Sequence, residues 1–163
     1  MPSDVKTLEH ARLDLDHFLP YRLSILSNRA SDAIARHYSD RFGLSVPEWR
    51  IMAVLGQDSG LAPGLSARDV ATRTAMDKVQ VSRAVASLVE ARRVKRDEDK
   101  ADGRVTRLSL TPRGQAIYDE VVPLALHLEE VFLAALTPDE RKTLNGLMDK
   151  LTDRIGHLHV IPG

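Results

Sequence analysis

Six consecutive positions, 78 to 83, hold Lys78, Gln80, Ser82 and Arg83. These residue types suit recognition rather than bond breaking. A guanidinium fork matches guanine O6 and N7, and a carboxamide matches adenine N6 and N7. Each such pair is worth about 1–3 kcal/mol of discrimination between bases. Asp77 stands just before the group as a helix N-cap. At helical spacing Val81, Val85 and Leu88 then turn inward, while Lys78, Ser82 and Arg83 turn outward. A second cationic group follows: Arg96, Lys100, Arg104 and Arg107, arranged about the turn residues Asp102-Gly103. Cations on such a turn suit a phosphate backbone, and one at its tip suits a narrow minor groove. Ser66 opens a helix, where free backbone N–H groups favour a phosphate.

The elements that carry these side chains are legible in the pattern. Pro20 fits the first position of a helix, since its missing N–H costs nothing there. Leu23, Leu26, Ala30, Ala33 and His37 recur at spacings of three and four, and Gly43 ends the segment. Ser45 and Glu48 form a capping box ahead of a helix through Trp49, Ile51, Met52, Val54 and Leu55. Gly56 to Leu65 reads as a loop. A short helix over Ala67–Arg73, the connection Thr74-Ala75-Met76 and a helix to about Arg92 form a helix-turn-helix. Val94–Asp97 and Val105–Leu110 are short strands around a charged tip. Thr111-Pro112 restarts helix to about Leu136, with a kink expected at Pro123. Thr137-Pro138-Asp139-Glu140 opens the last helix, which carries Leu144, Leu147, Met148, Leu151 and Ile155.

The chain of 163 residues suits one domain and can bury a core without staples. Hydrophobic residues at 43% and charged residues at 28% are ordinary for a globular protein. With no cysteine, disulfides, zinc–thiolate sites and thiol redox sensing are excluded. The first residues show no signal-peptide core and no run suits a membrane span, so a cytoplasmic protein is expected. The net charge is +0, but Ser66–Arg107 holds eleven Lys and Arg against seven Asp and Glu. A basic middle between acidic flanks is a local electrostatic footprint. No phosphate-binding glycine loop, G-x-S-x-G, H-E-x-x-H or cysteine nucleophile occurs, so no enzyme and no cofactor is expected. Asp97-Glu98-Asp99 sits on an exposed tip, a poor place to tune a carboxyl for acid–base work. His157 and His159, two apart, point to different helix faces and suggest no metal site.

At this point the sequence resembles the MarR family. The likeness runs through LSARDVATRTAMDKVQVSRAVASLVEARRVKR and DKADGRVTRLSLTPRG. The family's wing pattern stands here as Asp99, Asp102-Gly103-Arg104 and Leu110-Thr111-Pro112-Arg113-Gly114. Two positions depart from it. Ala75 stands in a turn where glycine is common, and Arg93 where glycine usually follows the recognition helix. The resemblance implies a mainly α fold with a small β-hairpin wing. A winged helix-turn-helix lobe over 45–110 is flanked by dimerisation helices over 18–43 and 112–157, all in a single domain. It further implies a homodimeric repressor on a pseudo-palindromic double-stranded DNA operator. The expected DNA-binding residues are Ser66, Lys78, Gln80, Ser82, Arg83, Arg96, Lys100 and Arg104.

Regulators of this family often bind small aromatic acids between the dimer helices and the DNA-binding lobe. Arg22, with Ile25, Leu26 and Arg29 on nearby turns, suits an anionic effector, and Trp49 and Met52 would supply a wall. Residues 19–56 resemble the branch controlling aromatic-acid catabolism, and that resemblance implies an aromatic acid or its coenzyme A thioester as the effector. Arg22 serves equally well in a salt bridge with a partner chain or loop, and Trp49 in the core. The competing reading is a winged-helix module that binds protein and makes no specific contact with DNA.

Overall fold

The computed structural model describes residues 12–60 and 64–156. Within them the order is α1 (Leu19–Phe42), α2 (Val46–Gln57), β1 (Leu65–Ser66), α3 (Ala67–Thr74), α4 (Lys78–Glu90), β2 (Val94–Glu98), β3 (Thr106–Leu110), α5 (Pro112–Leu133) and α6 (Pro138–Ile155). This is the mainly helical fold with a small antiparallel sheet that the pattern anticipated. The chain divides into two compact units, one ending at Tyr118 and one beginning at Asp119. His157 and His159 lie outside the described residues.

In the first unit α2, α3 and α4 pack on one another and on the sheet. Their shared core is Ile51, Met52, Leu55, Val70, Val81, Val85, Leu88 and Leu108, all buried. The sheet has three strands in the order β1-β3-β2, so the wing is more than the expected hairpin. Leu65 pairs with Leu108 and Ser66 with Arg107, a two-residue strand too short to show a period. It ties the start of α3 to the wing.

The caps fall where side-chain chemistry puts them. Ser45 Oγ accepts from the Glu48 N–H at 3.3 Å, and the Glu48 carboxylate returns to the Ser45 N–H at 2.7 Å. Gly43, at φ 58°, ends α1 in the left-handed conformation that glycine adopts without strain. Ala75 takes φ 53° in the α3–α4 turn, a conformation that costs a residue with a Cβ about 1–2 kcal/mol. The end of α4 corrects the sequence reading by one position. Arg92, not Arg93, is left-handed, at φ 57°. The Arg92 N–H donates to the Val89 carbonyl at 2.9 Å and the Arg93 N–H to the Leu88 carbonyl at 2.8 Å. Those two bonds are a Schellman motif, closing the helix without glycine.

The apolar stripe read on α1 is real as a pattern but does not face the lobe. The buried residues of α1 are Ala35 and Tyr38, whereas Leu23 and Leu26 are 45% and 52% exposed and His37 is exposed. In the second unit α6 buries none of its residues. Leu126, Val131 and Phe132 on α5 are exposed, as are Leu144, Leu147, Met148, Leu151 and Ile155 on α6. The Arg141 guanidinium holds the α5–α6 corner, donating to the Leu133 carbonyl at 3.1 Å and to Glu130 at 2.8 Å. Pro123 lies inside a continuous α5. No single helix among the described residues is long and apolar enough to cross a membrane.

The Leu-Thr-Pro-Arg-Gly segment has a packing reason. Thr111 Oγ1 accepts from the Gly114 N–H at 3.0 Å and donates to the Arg92 carbonyl at 2.7 Å. A Cβ on Gly114 would stand 2.0 Å from the Arg93 carbonyl oxygen, a backbone atom that cannot swing away. Gly114→Ala is therefore expected to destabilise the protein by about 1–3 kcal/mol, the usual range for forced overpacking. Urea denaturation checks this. A variant as stable as the parent would show that the first turn of α5 yields freely.

Candidate nucleic-acid interface

The α4 helix is held from behind and exposed in front. Val81, Ala84, Val85 and Leu88 are buried, and its N-terminus is capped by Asp77 Oδ1, which accepts from the Gln80 N–H at 2.8 Å. Lys78, Ser82 and Arg83 are exposed, as the spacing required, and Gln80 is exposed with them. An open cleft of about 1100 Å³ runs between α3, the start of α4 and the sheet, lined in part by Arg68, Thr72, Lys78, Ser82 and Arg96. Arg68 and Thr72 escaped the sequence reading. They lie on the outer face of the first helix of the pair, where nothing but a structure shows that α3 and the wing share a cleft. Val79, also passed over, is 58% exposed despite being apolar.

Behind α4, Glu48 is buried and remains ionised. Desolvation pushes its carboxyl up. The Ser45 N–H, the Ser87 hydroxyl, Ser45 Oγ and the Arg93 charge together outweigh it, so its pKa falls below the ordinary value. Ser87 Oγ donates to Glu48 Oε1 at 2.5 Å, tying the start of α2 to the back of α4. Tyr38 packs against Trp49 with ring centroids 5.6 Å apart, and burial pushes its phenol up to about 12.

The wing is built by its acidic residues. Asp99 Oδ1 accepts from the Ala101 N–H at 2.8 Å and the Asp102 N–H at 3.1 Å, and Oδ2 accepts from Arg107 Nε at 2.5 Å. Asp102 Oδ1 in turn accepts from the Arg104 N–H at 3.1 Å. The Asp-x-x-Asp-Gly-Arg spacing is thus turn chemistry, which points Lys100 and Arg104 into solvent. Two sequence expectations change here. Arg107 is engaged by Asp99, and lies 3.8 Å from Asp69, so it braces the wing from within. Ser66 offers no open anion site. Its hydroxyl donates to Asp69 Oδ2 at 2.7 Å, and the Asp69 carboxylate already sits on the α3 N-terminus, accepting from the Ser66 N–H at 3.1 Å. A phosphate there would meet a like charge.

The residues proposed for an effector fall into two groups. Arg22, Leu26 and Arg29 are exposed and Ile25 half-buried, all on the outer part of α1. Trp49 lies between Tyr38 and Tyr118, with centroids at 5.6 and 6.0 Å, and Met52 is fully buried in the core. Sixteen residues of helix separate Arg22 from Tyr38, about 24 Å along the axis. Within one chain Arg22 therefore does not share a pocket with Trp49, and Met52 lines none. Among the described residues no group of three or more His, Asp or Glu is placed to hold a metal ion.

A three-helix lobe that presents one capped helix beside a basic three-stranded wing defines a winged helix-turn-helix protein. Residues 42–105 match the model of the MarR family. The HTH-type transcriptional regulator BilQ of Clostridium symbiosum (strain WAL-14163) is 28% identical over 92 residues, 56% of this chain. The matched part spans 64% of that relative's length. The crystal structure of a MarR/EmrR family transcriptional regulator from Acinetobacter sp. ADP1 is similar with a TM-score of 0.78 at 26% identity, covering 89% of this chain and 99% of that one. Bordetella bronchiseptica BpsR, whose DNA binding is regulated by 6-hydroxynicotinic acid, shares the fold with a TM-score of 0.73 at 24% identity, over 88% and 99% of the two chains. The chain is thus similar to MarR-family transcriptional regulators, in sequence over the winged lobe and in fold over most of its length.

The lowered pKa of Asp99, caused first by Arg107 and then by the Ala101 and Asp102 amides, has a pH consequence. The wing contacts are fully present above the ordinary carboxyl pKa, about 3.9, and are lost as pH falls through the lower folded value. The amide shifts of Ala101 and Asp102 should therefore move together in acid, below about pH 4, and stay fixed in Asp99→Asn. Amides that titrate at or above the ordinary range, or that move in the variant too, would remove Asp99 from this role.

Proposed function

We propose that this protein binds double-stranded DNA sequence-specifically as a homodimeric repressor. The observation that carries the reading is the exposure of two sets of side chains, of which Lys78, Ser82 and Arg96 line one cleft. Lys78, Gln80, Ser82 and Arg83 on α4, and Arg96, Lys100 and Arg104 on the wing, are all exposed. Among the described residues none of these cations has an acidic partner. A helix of this width fits the major groove with its N-terminal residues at base edges, while a basic wing meets the flanking backbone. The exposed apolar faces of α1, α5 and α6 support self-association over 18–43 and 112–157, with the winged lobe, 45–110, between them. A two-fold dimer calls for a pseudo-palindromic operator with half-sites about one helical turn apart.

The effector reading becomes more specific. Arg22, Ile25, Leu26 and Arg29 lie too far from Trp49 within one chain, so a pocket using both groups takes α1 from the partner copy. An aromatic acid or its coenzyme A thioester suits such a pocket: the arginines meet the anion, and apolar residues meet the ring. BpsR shows an aromatic acid acting on a protein of this fold. Neither an enzymatic cofactor nor a membrane enters this reading, and the expected setting is the cytoplasm.

The test is fluorescence anisotropy of the full chain with DNA from upstream of its own gene, against scrambled duplex, with aromatic acids and their thioesters added. Tight binding to the first duplex alone is expected, released by one compound. Arg83→Ala should weaken specific binding by about 5–150-fold, as loss of a base contact does. Arg104→Ala should lower the salt slope by about 1. Equal binding to both duplexes would favour the protein-interaction reading. Arg22→Ala should leave DNA binding intact and abolish release by the active compound. Normal release from that variant would clear Arg22.

A further inference from the structure

The geometry points to Val79 as the residue that reads a thymine, by its C5-methyl group, beside a guanine read by Arg83. This rests on the DNA-binding reading above and specifies what the interface selects. Val79 is 58% exposed, the one large apolar side chain displayed by α4. At roughly 100° per residue it stands nearly opposite the buried stripe Val81, Ala84, Val85 and Leu88, at the centre of the outward face. Nothing local accounts for it. A β-branched residue is a mediocre helix former, and an exposed one gains no packing in return. Its neighbours on that face are a cation and small or polar groups: Arg83, Ser82 and Ala86.

In the major groove the C5-methyl of thymine is the only apolar group on any base edge, and apolar side chains are its partners. Val79 and Arg83 are four residues apart, so their Cβ atoms lie about 5–6 Å apart on one face. That separation lets the two side chains reach neighbouring base pairs, which stack about 3.4 Å apart. The long Arg83 fork takes guanine O6 and N7 while the compact Val79 covers the adjacent methyl. The unit recognised is therefore a thymine–guanine step in each half-site.

The experiment begins with full-length protein enriching duplexes from a random pool. Each thymine of the selected site is then replaced by deoxyuridine, which lacks only the methyl, and each adjacent guanine by 7-deazaguanine. One uracil in one half-site should weaken binding about 4-fold, the value of one buried methyl. In Val79→Ser that thymine and its uracil should bind alike, while in Val79→Thr, which keeps a methyl, the difference should persist. The 7-deazaguanine penalty should vanish in Arg83→Ala. An enriched site that tolerates every uracil overturns the Val79 inference and leaves DNA binding standing. A pool with no enriched sequence overturns the DNA reading itself, and this inference with it.

Discussion

The backbone carbonyl of Arg93 is the point on which the outward geometry depends. It accepts from the Thr111 N–H at 3.0 Å and from Thr111 Oγ1 at 3.2 Å, and Gly114 rests against it. The same residue ends the α4 Schellman motif and leads into β2. Its guanidinium reaches back to donate to the Phe42 carbonyl at the end of α1. Four elements thus converge on one residue: α4, β2, the first turn of α5 and the last turn of α1. Its Nε is buried with no acceptor among the described residues, a desolvation cost that the other contacts must offset. Arg93 therefore links the last turn of α1 and the first turn of α5 to the end of α4. Glu48 ties the start of α2 to the back of α4 through Ser87.

A second constraint is the division of charge within the basic segment. Arg107 is spent on Asp99, Arg93 on Phe42, Arg73 on Asp58, and Lys95 on Asp97 at 2.7 Å. What remains unpaired among the described residues is Arg68, Lys78, Arg83, Arg92, Arg96, Lys100 and Arg104, on α3, on α4 and its end, and on the wing. The acids of the segment do not cancel this field at random. Asp69, Asp77, Asp99 and Asp102 are consumed as caps or turn acceptors, each satisfying backbone N–H groups. A segment with a modest net positive charge therefore presents a face more basic than its composition suggests, which is how a neutral chain can approach a polyanion.

What the sequence made legible is what depends on local chemistry. The capping boxes at Ser45 and Thr137, the caps at Ser66 and Asp77 and the left-handed Gly43 all involve partners within four residues. So does the alternation in Thr106–Leu110. The exposure of Lys78, Ser82 and Arg83 followed from helical period alone. Most of the misreadings were long-range; that of Ser66 was local, since Asp69 is three residues on. β1 has two residues, and only pairing with Leu108 makes it a strand. Arg107 looked like a free cation because Asp99, eight residues away, is brought to it by the turn. Ser66 looked open because a capping aspartate also fills an anion site. Trp49 and Arg22 looked like one pocket because spacing along a chain says nothing of which helix face meets which neighbour. Val79 was passed over because apolar residues are expected inside, and its meaning lies in being outside.

The first helix shows where the proposed self-association would act. Ala35 and Tyr38 give α1 a face toward its own lobe, and Leu23 and Leu26 give it another, well over a quarter turn away. A helix apolar on two sides is stable only when both sides are covered. Its own lobe supplies one cover. The other side is continuous in character with Phe18, Leu19 and Tyr21, all exposed by 41% or more, and α6 carries five exposed large apolar residues with none buried. Isolated exposed apolar side chains are ordinary on protein surfaces, whereas helices lacking a buried residue are not. The lobe closes its own core around Ile51, Met52 and Leu88, whereas the long helices leave apolar faces that the proposed self-association would cover. The closed core of the lobe and the proposed assembly of the long helices meet at Arg93, which touches the end of α1, the end of α4 and the start of α5.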